Sequence, residues 1–184
     1  MKRFVLSAAV AAIAVAATAP SARAQSSMLP GFQIGASGGI AFPTGDLGNS
    51  TNTGYNIAVS VGLKPYESPI GLRFEAAYNE FGLQGGGGNI NIPSFTANAV
   101  LALPAAGFTP YIIGGAGLYR PSADLTGIGN SAENDFGFNV GGGIKIPLST
   151  SFETFIEARY NRVNIGGTNG GSASFIPVTV GIMW

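Results

Sequence analysis

Eight stretches of this chain alternate large apolar side chains with small or polar ones, and the connections between them alternate as regularly between long and short. The stretches run over residues 32–42, 54–64, 70–81, 91–103, 109–119, 135–146, 152–162 and 173–184. Successive side chains of a strand point to opposite faces, so each stretch reads as a strand with one apolar and one polar face. The connections at 43–53, 82–90, 120–134 and 163–172 are long and polar or glycine-rich, whereas those at 65–69, 104–108 and 147–151 hold five residues each. In an antiparallel meander alternate connections lie at opposite ends. All long loops therefore fall at one end and all tight turns at the other. An even number of strands, each near the roughly 9–11 residues that a tilted strand needs to cross a bilayer, predicts an all-β, eight-stranded antiparallel up-and-down transmembrane β-barrel.

The faces can be read strand by strand. In the second, Tyr55, Ile57, Val59, Val61 and Leu63 oppose Asn56, Ala58, Ser60, Gly62 and Lys64. In the third, Ile70, Leu72, Phe74, Ala76 and Tyr78 oppose Gly71, Arg73, Glu75, Ala77 and Asn79. The sixth separates Phe136, Phe138, Val140, Ile144 and Ile146 from Asp135, Asn139 and Lys145. The seventh separates Phe152, Thr154, Ile156, Ala158 and Tyr160 from Glu153, Glu157, Arg159 and Asn161, and the last puts Ile176, Val178, Val180, Ile182 and Trp184 on one side. The fifth is ambiguous: Tyr111, Ile113 and Tyr119 face one way, Ile112, Ala116 and Leu118 the other. Alternation alone fits a soluble barrel with apolar side chains inside as well as a membrane barrel with them outside. The loop pattern and both chain ends favour the second.

At the N-terminus, Met1-Lys2-Arg3 precedes an apolar run over residues 4–17, then Pro20 and Ala22-Arg23-Ala24. That order predicts a signal peptide, residues 1–24, and a mature barrel domain, 25–184. The run is too short for a membrane helix, and no cysteine follows the site for lipid attachment. The mature part carries six basic residues against nine acidic ones, a net −3, so it offers no basic surface for nucleic acid. With no cysteine anywhere, an exported form has no disulfides to rely on.

The segment Thr109-Pro110-Tyr111-Ile112-Ile113-Gly114-Gly115-Ala116-Gly117-Leu118-Tyr119 resembles the Pro-Tyr…Gly-x-Gly-x-Tyr strand of the small eight-stranded outer-membrane barrels of Gram-negative bacteria, the outer-membrane protein A barrel and its adhesin-like relatives. Asp135-Phe136-Gly137-Phe138-Asn139-Val140-Gly141-Gly142-Gly143, followed by Glu157-Ala158-Arg159-Tyr160, is similar to the next two strands of that family. The resemblance implies a location in the bacterial outer membrane, loops outward, with contact to lipid and lipopolysaccharide. It also implies delivery by the barrel-assembly machinery through the strand ending at Trp184. Many members end on phenylalanine instead, and the peptidoglycan-binding domain of some members is missing, so their cell-wall tether is not expected here.

The polar faces predict an interior network of Arg73, Glu75, Glu157 and Arg159 near mid-height, with Lys64, Lys145 and Glu153 nearer the turns. Buried charges must be paired, and acids and bases on opposite walls allow it. Such a network plugs the lumen; a switching network would open a narrow ion path, as the resemblance implies for some members. The absence of histidine and cysteine removes histidine-dependent triads, thiol nucleophiles and the usual zinc sets, and the outer-membrane lipases and acyl-transfer enzymes of comparable fold rely on histidine. Glu153 with Glu157 is the nearest glycosidase-like pair, outweighed by its neighbouring arginines. Gly85-Gly86-Gly87-Gly88 lacks the Gly-Lys-Ser/Thr of a phosphate loop and reads as a loop tip. Asp46, Asp124, Glu133 and Asp135 lack calcium-loop spacing. No catalytic residue, cofactor or metal site is expected. Tyr55, Tyr78, Phe81, Tyr119, Phe136 and Tyr160 at the loop ends, and Phe32, Tyr66, Phe108, Phe152 and Trp184 at the turn ends, suggest two aromatic girdles where they face outward.

The expectation is a non-enzymatic, monomeric outer-membrane barrel with a structural or surface-interaction role and an unidentified extracellular partner. A low-conductance small-solute pore is the alternative. A soluble carrier of a hydrophobic ligand comes third and requires the apolar faces to point inward.

Overall fold

The computed structural model describes residues 31–63, 68–103, 105–125, 134–166 and 171–184. Residues 1–24, expected to be a signal peptide, and Lys64 lie outside them. Eight long strands form the barrel: β1 (Phe32–Thr44), β2 (Gly54–Leu63), β3 (Ile70–Gly82), β4 (Gly88–Ala102), β5 (Thr109–Tyr119), β7 (Asp135–Pro147), β8 (Glu153–Ile165) and β9 (Gly171–Met183). A four-residue strand, β6 (Ser122–Leu125), and one short helix, α1 (Gly45–Ser50), belong to the loop end. Every neighbouring pair is antiparallel, and β1 pairs with both β2 and β9, which closes the sheet and leaves no free edge. The closure runs to the end of the chain, where Trp184 and Ile34 exchange both backbone hydrogen bonds at 2.9 and 2.8 Å.

The phases agree with period two. Ile57, Val59, Leu72, Phe74, Phe138, Val140, Ile156 and Val180 are exposed, whereas Asn56, Ser60, Arg73, Glu75, Asn139, Glu157 and Thr179 are buried. An apolar exterior around a polar interior is the inverse of a soluble carrier and suits a barrel solvated by lipid. In the ambiguous strand β5, Tyr111, Ile113 and Tyr119 point inward and Ile112 and Leu118 outward. The neighbours decide this. Tyr111 pairs with Gly143, and a Cβ at Gly143 would lie 2.6 Å from the Tyr111 hydroxyl; a Cβ at Gly137 would lie 2.8 Å from the Tyr119 ring. Bare glycine on β7 is the space that these two rings fill.

The loop end differs from the sequence expectation in three ways. β3 and β4 continue to Gly82 and Gly88, because their pairing extends beyond the neighbouring strands, so the 82–90 loop shrinks to residues 83–87. Its tip holds Gly85, Gly86 and Gly87 at φ of 87°, 81° and 95°, a conformation that favours glycine and accounts for the run as a turn. The 120–134 connection contains β6, which extends the sheet by pairing Ser122–Leu125 with Gly88–Asn91 of β4. Finally, the 43–53 connection folds as α1, whose Leu47 is buried over the lumen. Gln84 at the hairpin tip ties this helix down, donating to the carbonyls of Gly48 and Thr51 at 3.2 Å each.

Candidate functional site

The interior is built in layers. At mid-height, strands from opposite walls bring four charges together, because β3 and β8 face each other across a lumen only as wide as its side chains. Arg73 donates to Glu157 Oε2 at 2.7 Å, and Arg159 Nε meets Glu157 Oε1 at 2.7 Å. The other face of the Arg159 guanidinium is bound to Glu75. Tyr111 adds a hydrogen bond from its hydroxyl to Glu157 Oε2 at 2.7 Å, and its ring lies 5.4 Å from the Arg73 guanidinium carbon, with Phe155 at the same distance. Glu157 thus holds two arginines and a phenol with its two oxygens, and its side chain is 1% exposed. Toward the turns, Lys145 pairs with Glu153 at 3.4 Å, and Gln33 donates to the same carboxylate at 3.3 Å.

Above the charges lies a layer of amides. Asn56 donates to Asn79 at 2.7 Å, Asn139 to Asn98 at 2.8 Å, and the Tyr119 hydroxyl to Asn161 at 3.0 Å. The Asn139–Asn98 bond spans β5, and it passes there because the intervening residue is Gly115: a Cβ would collide with the Asn98 side-chain oxygen. Two small voids lie in the lumen. About 60 Å³ opens at the turn end between Arg73, Lys145, Glu153, Gln33 and Met183, and about 10 Å³ lies between Glu75, Arg159, Asn79 and Asn161 on the other side of the ion pairs. The second is about the volume of one water.

At the loop end the lumen is apolar, which the sequence reading missed. Phe81, Ile92, Tyr119, Val163, Ala173, Phe175 and Ala41 pack together beneath Leu47 of α1, with the Phe81 and Phe175 rings edge-to-face at 5.5 Å. Phe81 and Tyr119 therefore leave the proposed girdle. The signal was present: Phe81 shares the parity of Arg73, Glu75 and Asn79, and Val163 that of Glu157, Arg159 and Asn161. The remaining girdle positions include exposed Tyr55 and Phe136 at the loop end and exposed Phe32, Phe108, Phe152 and Trp184 at the turn end; Tyr66 lies outside the described residues.

Every predicted interior charge within the described residues points into the lumen: Arg73, Glu75, Glu157 and Arg159 meet in one cluster, Lys145 and Glu153 in another. The two carboxylates weighed as a glycosidase pair are engaged separately, Glu157 by two arginines and Glu153 by Lys145 and Gln33. Among the described residues no group of three or more acidic, histidine or cysteine side chains is arranged to hold a metal ion.

A search among curated protein sequences finds no match. Among solved structures, the chain is similar to Neisserial surface protein A, with a TM-score of 0.67 at 21% identity over 83% of this chain and 95% of that one. It is also similar to the outer membrane enzyme PagL, with a TM-score of 0.57 at 17% identity over 81% and 97% of the two chains. The outer membrane protein OprG from Pseudomonas aeruginosa gives 0.53 at 13% identity over 85% and 97%. These likenesses are likenesses of fold: a surface protein and an enzyme share it. A family model, "Outer membrane protein beta-barrel domain", matches residues 6–184. Closed strands, an apolar outer wall and this match together make the chain a member of the outer membrane protein β-barrel family.

Proposed function

We propose that the barrel is a non-enzymatic, monomeric anchor in the bacterial outer membrane that presents its loop end to the outside for contact with a surface partner. The observation that carries this reading is the filled lumen. Among the described residues, ion pairs at mid-height and an apolar plug beneath α1 occupy the lumen on either side of its two small voids. No histidine is available to run the acid–base chemistry of most hydrolases. What remains for interaction is the outer wall, which lipid covers, and the loop-end surface of α1, the β3–β4 hairpin and β6. Residues 1–24 would direct export and be removed, and the β9 strand ending at Trp184 would engage the barrel-assembly machinery. Intact cells producing the protein are compared with cells producing a form in which residues 126–133 are replaced by a glycine–serine linker, for adhesion to epithelial monolayers and to matrix-coated plastic. Reduced adhesion with unchanged heat-dependent gel mobility is expected. Undiminished adhesion here, and again after replacement of residues 83–87, rejects the reading.

A low-conductance pore is the second reading, favoured by one observation: Glu157 lies between two arginines, so Arg73 can lose its partner while Arg159 keeps Glu75. Planar bilayers with the folded protein test it, and an absence of discrete conductance steps in both wild type and Glu157→Gln dismisses it.

A further inference from the structure

The thioether of Met183 is a nucleophile that neither the ion-pair network nor the outer wall accounts for. Met183 has the inward phase of β9, shared with Phe175 and Thr179, and is 1% exposed. Glycines on the neighbouring strands make its room: a Cβ at Gly35 would lie 3.1 Å from its Cγ, and one at Gly62 would lie 3.3 Å from its Cε. Its sulfur meets Arg73. The Nη2–H of that guanidinium donates to Sδ at 3.9 Å, while Nη1 is held by Glu157 at 2.7 Å. A thioether is a weak acceptor, so one arm of a buried cation faces a poor partner.

Met183 and Arg73 both stand in the wall of the void of about 60 Å³ at the turn end. That is several times the roughly 10–15 Å³ that one water needs. The same wall includes exposed Pro69 and the Glu153 side chain, 34% exposed, so the void communicates with solvent at that end. A small, neutral, hydrogen-bonding oxidant such as hydrogen peroxide therefore has a polar path to a sulfur that shows almost no surface of its own. Oxidation inside a core ordinarily disrupts it, because a flexible apolar side chain becomes a polar sulfoxide that must find a partner. At Met183 the partner is already in place. An oxygen added to the sulfur on its guanidinium side stands between Sδ and Nη2, where a charge-assisted hydrogen bond of about 2.7–2.9 Å forms without moving Arg73 from Glu157.

We propose that Met183 is an oxidation site for hydrogen peroxide entering through the turn-end void, and that Arg73 holds the resulting sulfoxide. A sulfur lone pair attacks one peroxide oxygen, the O–O bond breaks and an S–O bond forms. The second oxygen leaves as hydroxide and takes the proton from the sulfur-bound oxygen, giving sulfoxide and water. Sulfur loses two electrons and peroxide gains them. The product gives the idle arm of Arg73 a strong acceptor, so the modified barrel keeps its mid-height ion pairs.

The test treats the folded barrel in lipid vesicles with hydrogen peroxide and follows the added oxygen on Met183 by peptide mass spectrometry, with the same chain unfolded in urea as the reference. Every form carries Met28→Leu, which leaves Met183 as the one thioether of residues 25–184. Folding should slow the oxidation by about tenfold or less, whereas an oxidant that had to wait for the barrel to unfold would be slowed by roughly 10³-fold or more. Slowing of that second size overturns the site. Ala102→Phe, in the wall of the void, should slow the reaction further. An unchanged rate would mean that the last residues of the chain open to admit the oxidant, and would overturn the path. The oxidised barrel should unfold at the same urea concentration as the untreated one or at a higher one. In Arg73→Leu/Glu157→Leu, which removes the donor together with its carboxylate, oxidation should lower that midpoint. A lowered midpoint in the parent, or equal shifts in both, overturns the role of Arg73. Should either variant fail to fold, the rate ratio and the midpoint shift of the parent decide.

Discussion

Glu157→Ala is the most searching perturbation of the interior. The carboxylate is the partner of Arg73 in its ion pair, accepts the Tyr111 hydroxyl, and shares Arg159 with Glu75. Arg73 is 2% exposed, so truncating Glu157 strands a buried cation, while Arg159 keeps Glu75. Breaking one side of a buried pair costs about 3–5 kcal/mol, most of it the desolvated partner left behind. The same rule makes an opposite forecast for the double variant Arg73→Met/Glu157→Leu. It removes both charges, leaves Arg159 with Glu75, and should cost less than about 1.5 kcal/mol or even stabilise. The assay is reversible urea unfolding in lipid vesicles, followed by tryptophan fluorescence of Trp184 and by gel mobility without heating, with the urea dependence held common to all variants. The two numbers together carry the test. A Glu157→Ala cost below about 1 kcal/mol would mean that water already solvates Arg73. The filled-lumen account, and with it the argument against a pore, would then fail.

Three further outcomes follow from the same packing. Phe81→Ala removes an aromatic from the plug beneath α1 and should cost about 3–5 kcal/mol in the same titration; a loss under 1 kcal/mol would show that the plug contributes no stability. Gly143→Ala sets a methyl against the Ile156 backbone carbonyl and 2.6 Å from the Tyr111 hydroxyl and should cost about 1–3 kcal/mol, with Gly143→Ala/Tyr111→Phe recovering only the part due to the hydroxyl. No recovery would place the strain in the backbone contact instead. Val180→Arg, on the outer wall beside Ile156, should destabilise the barrel in vesicles by about 2–4 kcal/mol, while Ser172→Arg at the loop end of the same strand should be near neutral; equal costs would contradict the assignment of the membrane belt.

The strand number, the outward phase of the apolar faces and the inward parity of Arg73, Glu75, Lys145, Glu153, Glu157 and Arg159 were all legible in the sequence. Each depends on the two-residue period of a strand, which is a local property. Other features were written there but overlooked. Phe81 has the inward parity of its strand, yet its position near the rim suggested a girdle; parity is set by the backbone and outranks position. The facing of β5 was undecidable from its own residues, because both of its faces carry large apolar side chains. It was settled by the glycines of the strand beside it, which leave room for Tyr111 and Tyr119. Helix α1 and β6 arise only where the closed barrel supplies an open end to cover and a strand edge to extend. Partner choice across the lumen was likewise beyond the sequence. That Arg73 meets Glu157 and Arg159 meets Glu75 depends on the stagger with which β1 closes on β9, and this stagger is fixed by all eight strand registers together. Periodicity determines which way a side chain points; only closure of the sheet determines what it meets.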